Sequence, residues 1–208
     1  MGTAAVPAPV LSASGAAAME RALAALGRAE VVGVPTDTVY GLAVDVGAVG
    51  ATSRLFEVKG RPRSFELPVL VAGTDQALRL ADPPPAARLL MDRFWPGALT
   101  VVVRRRPGLG LALGGDDTTV GLRCPDHPVP LALCRAGGPL AATSANLHGA
   151  LPATTASGVA RLAGVALVLD AGVCPTRPST VVGCLDDRPV LLRPGGIAWS
   201  EVLDVGGW

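Results

Sequence analysis

Short aliphatic runs, each stopped by glycine or proline, recur along the chain and restrict its fold more than any single residue does. "VVGVP" (31–35), "LPVLVAG" (67–73), "ALTVVVRRR" (98–106), "TTVGLR" (118–123), "PLAATSA" (139–145), "VALVLDAG" (165–172), "STVVGCL" (179–185) and "PVLLRPG" (189–195) read as strands, because continuous aliphatic and β-branched runs of this length suit a buried sheet. After Pro35, "TDTVYGLAVDV" reads as a turn and a further strand. Segments with helical spacing lie between these runs: 16–28, 50–60 closed by Gly60, 75–81, 86–94 after "PPP" at 83–85, 128–136, and one near 155–163. Strands alternate with helices, yet too many neighbouring strands are joined by short turns for a wholly parallel sheet, so the prediction is a mixed α/β sheet.

A chain of 208 residues suits one large domain with a sizeable core. Half the residues are apolar, mostly Ala, Val and Leu, and 3% are aromatic; such small side chains suit helices packed closely on a sheet. No internal repeat or long linker divides the chain, so 15–208 is read as a single domain. Residues 1–14 are read as a loose tail: no basic residue precedes Arg21, and Pro7 and Pro9 interrupt the apolar part, which fits neither a secretion signal nor a membrane span. "PGLGLALGGDD" (107–117) reads as a mobile loop, with 107–115 a candidate lid.

The net charge of +1 excludes a protein that holds nucleic acid by bulk charge, so any positive site is local. The scarcity of aromatics argues against a base-stacking single-strand binder. Cys124, Cys134, Cys174 and Cys184 form no C-x-x-C pair, and with His127 and His148 as the only histidines they do not suggest a zinc site. Their apolar and small neighbours suggest buried, reduced thiols of a cytosolic protein.

Among 18 basic residues one is a lysine, Lys59, two positions before Arg61. Together with Arg63 they close a predicted helix and open a loop stiffened by Pro62. Cations there are favoured by the helix dipole alone, but a compact ammonium beside a planar guanidinium also suits a polyphosphate. "PTDTVYGL" (35–42) delivers Thr36, Asp37, Thr38 and Tyr40 directly after a buried strand; polar groups leaving a core strand together must pair in a turn or face a cavity. "TSAN" (143–146) ends another apolar run with hydroxyls and an amide, fit for phosphate or ribose oxygens or for a helix N-cap. Ser179 in "PST" and Arg193 in "LLRPGG" stand at two more strand edges.

Taken together and in this order, "PTDTVYGLA", "KGRP", "WPGALTVV" (95–102), "VGLRCPDHP" (120–128), "PLAATSAN", "STVV" and "LLRPG" closely resemble the YrdC-like threonylcarbamoyl-AMP synthases, from about residue 17 to 198. The resemblance implies an open, twisted mixed α/β sheet with flanking helices around a basic cavity. It also implies an ATP-dependent nucleotidyltransferase that makes threonylcarbamoyl-AMP and pyrophosphate from L-threonine and bicarbonate, with Mg²⁺ carried on the ATP phosphates and no side-chain metal ligand. The product would feed tRNA threonylcarbamoyl transferase proteins that modify the adenosine beside the anticodon. The family's K-x-R…S-x-N tetrad falls on Lys59, Arg61, Ser144 and Asn146 as catalytic and ATP contacts. Thr36, Tyr40 and Arg123 fall at the threonine site, and Ser179 and Arg193 at later nucleotide contacts. The resemblance further implies a cytoplasmic enzyme away from membranes, leaves room for weak RNA binding, and is to the short, single-domain members.

The chain departs from the family pattern at two places. Phe65 and Glu66 stand where many members carry a third basic or polar residue, a loss for which Arg63 is a candidate replacement, and His148 replaces a serine in "TSANLHG", where it reads as a rim residue. Two other readings stay open at this point: an RNA- or nucleotide-binding relative without synthase activity, and a related carbamoyl-adenylate enzyme fed by carbamoyl phosphate.

Overall fold

The computed structural model describes residues 6–175 and 177–208. Its centre is a ten-stranded sheet made of β1 (Val10–Ser12), β2 (Val31–Val34), β3 (Gly41–Asp45), β4 (Val69–Leu70), β5 (Leu99–Arg104), β6 (Thr119–Arg123), β7 (Leu140–Ser144), β8 (Val165–Asp170), β9 (Thr180–Gly183) and β10 (Val190–Arg193). Their order across the sheet is β1-β8-β2-β3-β7-β4-β6-β5-β9-β10. β8 pairs in parallel with β1 and β2, β4 with β6, and β5 with β9, while the pairs β2/β3, β3/β7, β4/β7, β5/β6 and β9/β10 run antiparallel. The mixed α/β sheet predicted from the short turns is the observed one. The helices are α1 (Ala16–Gly27), α2 (Ala51–Lys59), α3 (Thr74–Leu80), α4 (Pro85–Phe94), α5 (Pro128–Gly137), α6 (Ala156–Ala160) and α7 (Trp199–Gly206).

Period-two alternation sorts the strands between two cores. Val31, Leu42, Val44, Val101, Val103, Val120, Leu122 and Val182 face one side, where Leu55 and Phe56 of α2, Leu90 and Met91 of α4, Val159 of α6 and Val202 of α7 complete the packing. Val32, Val34, Ala43, Leu167 and Leu169 face the other side, covered by Ala22, Ala25 and Leu26 of α1 and by Val129, Leu133 and Cys134 of α5. Alanine along α1 brings that helix close to the strands, as the small aliphatic composition implied. All four cysteines are buried free thiols. Among the described residues no helix is long and apolar enough to cross a membrane.

Several expectations change. The tail read as loose over 1–14 is engaged from Ala8: its N–H donates to the Ala160 carbonyl at 2.8 Å, β1 pairs with β8, and Ala13 N–H donates to the Asp170 carbonyl at 2.8 Å. Three residues beside two prolines carry too little pattern to signal a strand, and the exposed edge of β8 supplies the missing information. β4 shrinks to Val69–Leu70, since Pro68 has no N–H to give the ladder. The helix α7, which no sequence signal had marked, buries Val202.

The glycine-rich stretch read as a mobile loop is tied down. Arg105 donates to the Leu111 carbonyl at 2.8 Å and pairs with Asp117 at 3.0 Å. Leu113 is fully buried, its carbonyl accepting from Leu67 N–H at 2.8 Å, and Gly115 N–H donates to the Arg63 carbonyl at 3.0 Å. Gly114 sits at φ +80, and a Cβ there would stand 2.6 Å from the Arg63 oxygen and 2.8 Å from the Phe65 oxygen. Only glycine allows this approach, and the consequence is that the stretch braces the basic loop from outside.

Candidate functional site

Helices cover both faces of the sheet over β8, β2 and β3, but one face of β6, β5 and β9 carries none of the second core. With Val101, Val103, Val120, Leu122 and Val182 pointing into the first core, the alternation turns Thr100, Val102, Gly121, Arg123 and Val181 to the opposite face. There they floor a cavity of about 750 Å³. Its walls include Thr36 and Thr38 from the turn after β2, Arg61, Phe65 and Glu66 from the loop after α2, Thr143, Ser144 and Asn146 from the end of β7, and Ser179 and Arg193 from the β9–β10 edge. The topology thus gathers at one hollow residues that lie far apart in sequence.

Lys59 ends α2, and Gly60 follows in the left-handed conformation at φ 59, which turns the chain sharply behind it. The lysine is 3% exposed. Its ammonium donates to the Ser144 carbonyl at 2.6 Å, to Ser144 Oγ at 3.1 Å and to Asn146 Oδ1 at 2.6 Å. Ser144 Oγ itself donates to Asn146 Oδ1 at 2.6 Å, and Asn146 Nδ2 is fixed on the Leu147 and Ala150 carbonyls. The Lys59 backbone accepts from His148 N–H at 2.9 Å. Burial, reinforced by the neighbouring Arg61, lowers the Lys59 pKa to about 8. Lys59 stands behind the wall and meets the cavity through Ser144 and Asn146.

Three guanidiniums complete the positive surface. Arg61 donates to the Glu66 carbonyl at 3.1 Å and reaches Thr143 Oγ1 at 3.4 Å, while its buried Nε has no partner. Arg193 donates to the Ser179 carbonyl at 2.9 Å and to Ser179 Oγ at 3.2 Å, and Ser179 Oγ lies 2.9 Å from Thr100 Oγ1. Arg123 donates from Nη2 to Asp37 Oδ1 at 2.6 Å, from Nη1 to Thr38 Oγ1 at 2.9 Å, and from Nε to the Gly97 carbonyl at 3.1 Å. Burial lowers the pKa of all three; Arg193 adds to the effect on Arg61, and Arg123 to that on Arg193. Like charges that depress one another in a partly dry hollow are the arrangement that an anion would relieve.

Of the residues named from sequence, Thr36, Arg61, Arg123, Ser144, Asn146, Ser179 and Arg193 line this one cavity. Tyr40 does not. Its ring is fully buried and its hydroxyl donates to the Gly172 carbonyl at 2.8 Å, with burial pushing the phenol pKa up to about 12. The Thr36 hydroxyl is occupied as well, accepting from Thr38 and Val39 N–H at 3.1 and 3.2 Å and donating to the Val39 carbonyl at 2.6 Å, so it shapes the turn. Arg63 lies over the Phe56 ring at 5.7 Å and is not on the cavity wall, so it does not replace the missing polar residue. Glu66 turns its carboxylate to accept from Thr119 Oγ1 at 3.1 Å, and burial raises its pKa. His148 is exposed, its ring 5.5 Å from that of Phe65, which in turn stacks under Arg61 at 5.2 Å.

The sequence marks Thr38 and Thr143 only within the "PTDTVYGL" and "TSAN" motifs, without a role of their own, and does not mark Thr100 at all. Each is a threonine on or beside a strand, where its type also suits simple strand packing. The signal that finds them is the alternation of the strands once the uncovered face is known.

The Sua5/YciO/YrdC family model, described as "Telomere recombination", matches residues 24–195. The threonylcarbamoyl-AMP synthase of Bacillus subtilis (strain 168) is 44% identical over 198 residues, covering 90% of this chain and 56% of its own length. The putative threonylcarbamoyl-AMP synthase of Mycobacterium tuberculosis (strain H37Rv) is 38% identical over 190 residues, covering 89% of this chain and 88% of its own. Among solved structures, that of P. abyssi Sua5 complexed with L-threonine superposes with a TM-score of 0.86 at 35% identity, over 91% of this chain and 57% of that one. E. coli YciO, at 23% identity and a TM-score of 0.79 over 90% of this chain and 93% of its own, shares the fold. The chain thus spans little more than half the length of the Bacillus and Pyrococcus relatives.

Proposed function

The chain belongs to the Sua5/YciO/YrdC family, and on that basis we propose that it makes threonylcarbamoyl-AMP and pyrophosphate from L-threonine, bicarbonate and ATP. The observation that carries this reading is the convergence of Arg61, Arg123 and Arg193, from the loop after α2, from β6 and from β10, on one hollow with Ser144, Asn146 and Ser179, while Lys59 at the end of α2 bonds Ser144 and Asn146 from behind. The amine of threonine and bicarbonate give a carbamate and water. A carbamate oxygen then bonds to the α-phosphorus of ATP as the bond to the pyrophosphate oxygen breaks. Both partners are anions, so the work left to the protein is to offset their repulsion and align them. Arg61 and Arg193 face the phosphates in this reading, Lys59 holds Ser144 and Asn146 in place for the same end, and Arg123 takes the amino-acid carboxylate.

Tyr40 acts in this reading by anchoring the segment at Gly172 beside the threonine end, and Thr36 by shaping the turn that carries Thr38. Mg²⁺ would enter with the triphosphate and lower its charge, held by phosphate oxygens and water. The adenylate would pass in the cytoplasm to the transferase proteins that modify tRNA, with any RNA contact weak, in keeping with a net charge of +1.

The test is to supply ATP, Mg²⁺, bicarbonate and L-threonine to the purified protein and follow pyrophosphate together with the adenylate by mass spectrometry. The proposal requires a product carrying the threonylcarbamoyl mass that disappears when threonine is left out. Pyrophosphate release that continues without threonine, or that needs carbamoyl phosphate, would reject it.

A further inference from the structure

We propose that Asp37 is the residue that makes the Arg123 end of the cavity select an amino-acid carboxylate and refuse a phosphate. The inference rests on the reading above. Asp37 Oδ1 lies 2.6 Å from Arg123 Nη2, with side-chain exposures of 16% and 9%. The same guanidinium is tied by Nη1 to Thr38 and by Nε to the Gly97 carbonyl. Three fixed partners hold its plane, and of its five N–H groups two are left over. The two other guanidiniums of the cavity, Arg61 and Arg193, are held by carbonyls and hydroxyls.

That difference has an electrostatic consequence. Arg61 and Arg193 keep their full charge and attract a polyanion. Arg123 is matched by a carboxylate in contact, which reduces the net field at its free N–H groups although its charge is still felt at Arg193. A carboxylate bears one charge and accepts two coplanar N–H bonds. A phosphate dianion brought to the same N–H groups meets the Asp37 carboxylate within a few ångströms, at low dielectric, with twice the repulsion. Asp37 therefore acts through Arg123, as a positioning residue with a second effect on specificity. It keeps triphosphate at the Arg61–Arg193 end and prevents ATP, pyrophosphate or inorganic phosphate from blocking the amino-acid end.

The test compares the whole protein with Asp37→Asn, which keeps the shape of the side chain and removes its charge, and with Asp37→Glu, which keeps the charge. Steady-state formation of threonylcarbamoyl-AMP is measured against L-threonine and against ATP, with inorganic phosphate as inhibitor, and L-threonine binding is measured by calorimetry. For Asp37→Asn the KM for threonine should rise about tenfold to a hundredfold, the range for disturbing a charge-assisted hydrogen bond, with the KM for ATP within about twofold. Phosphate, noncompetitive toward threonine in the wild type, should become competitive in Asp37→Asn and stay noncompetitive in Asp37→Glu. An unchanged threonine KM or phosphate pattern in Asp37→Asn overturns the inference alone, while the synthase reading stands on the wild-type product. So does phosphate that already competes with threonine in the wild type, or a KM for ATP that rises in step with that for threonine. A wild type that binds no L-threonine overturns both.

Discussion

The two ends of the cavity use the same side chain for different purposes. At one end Arg61 and Arg193 rest on carbonyl and hydroxyl oxygens, and Lys59, close behind, rests on the same kinds of neutral acceptor. At the other end Arg123 rests on a carboxylate. Neutral partners fix a cation in place without cancelling it, so the first end is a field that calls for a polyanion. A charged partner fixes and partly offsets together, so the second end acts more as a set of directed donors. What a buried arginine attracts is decided by what already holds it.

Removing the ammonium breaks the first end outright. Lys59→Ala takes the ammonium from the Ser144 carbonyl and Asn146 Oδ1, which keep only Asn146 N–H and Ser144 Oγ as donors, and formation of the adenylate should fall on the order of 10²-fold or more, the scale of losing a preorganised charge. Threonine binding measured by calorimetry should change little, because Arg123 keeps its partners. Equal loss at both ends would erase the distinction.

A smaller effect comes from pH, and its sign follows from burial. The Lys59 pKa is lowered to about 8, below its value in an unfolded chain, so the folded protein gives up this proton first as pH rises. Above about 8 the ammonium loses a donor that the Ser144–Asn146 turn needs, and kcat/KM for ATP should drop by about tenfold per pH unit on that limb. Threonine affinity should not follow it. Stability moves the other way: between about 8 and the usual lysine pKa of ~10.4 the unfolded chain binds the extra proton, so this group's contribution to stability rises with pH. Lys59→Arg should flatten the kinetic limb, since guanidinium stays protonated throughout.

The smallest effect separates the loop from the charges it carries. Phe65, 47% exposed, sits under Arg61 at 5.2 Å and against His148. Phe65→Ala should raise the KM for ATP by about two- to fivefold, the range of an exposed cation–π contact, and leave that for threonine unchanged.

Much of this was legible in the chain. The apolar runs and their short turns gave a mixed sheet, and the lone Lys59 with "TSAN" gave the first end of the site. What stayed hidden has physical reasons. β1 is a three-residue edge whose partner lies about 160 positions on, Val10 against Val168, so no local pattern announces it. The strap at 107–117 looks mobile because glycine permits any loop, and only contact with the Arg63 and Phe65 backbone reveals why Gly114 is required. Tyr40 was placed at the threonine end by resemblance, and its side chain points instead to Gly172, a direction that no spacing encodes. Asp37 and Arg123 were both visible as residues, but their pairing joins the turn after β2 to the end of β6, which only the folded sheet brings together.

The division of the cavity into two ends is tested most directly by where each ligand lies. A crystal structure of the protein with L-threonine and a non-hydrolysable ATP analogue should place the amino-acid carboxylate within hydrogen-bond distance of Arg123 and the phosphates against Arg61 and Arg193. Phosphate oxygens seated on Arg123, or threonine held at Arg61 and Arg193, would contradict it.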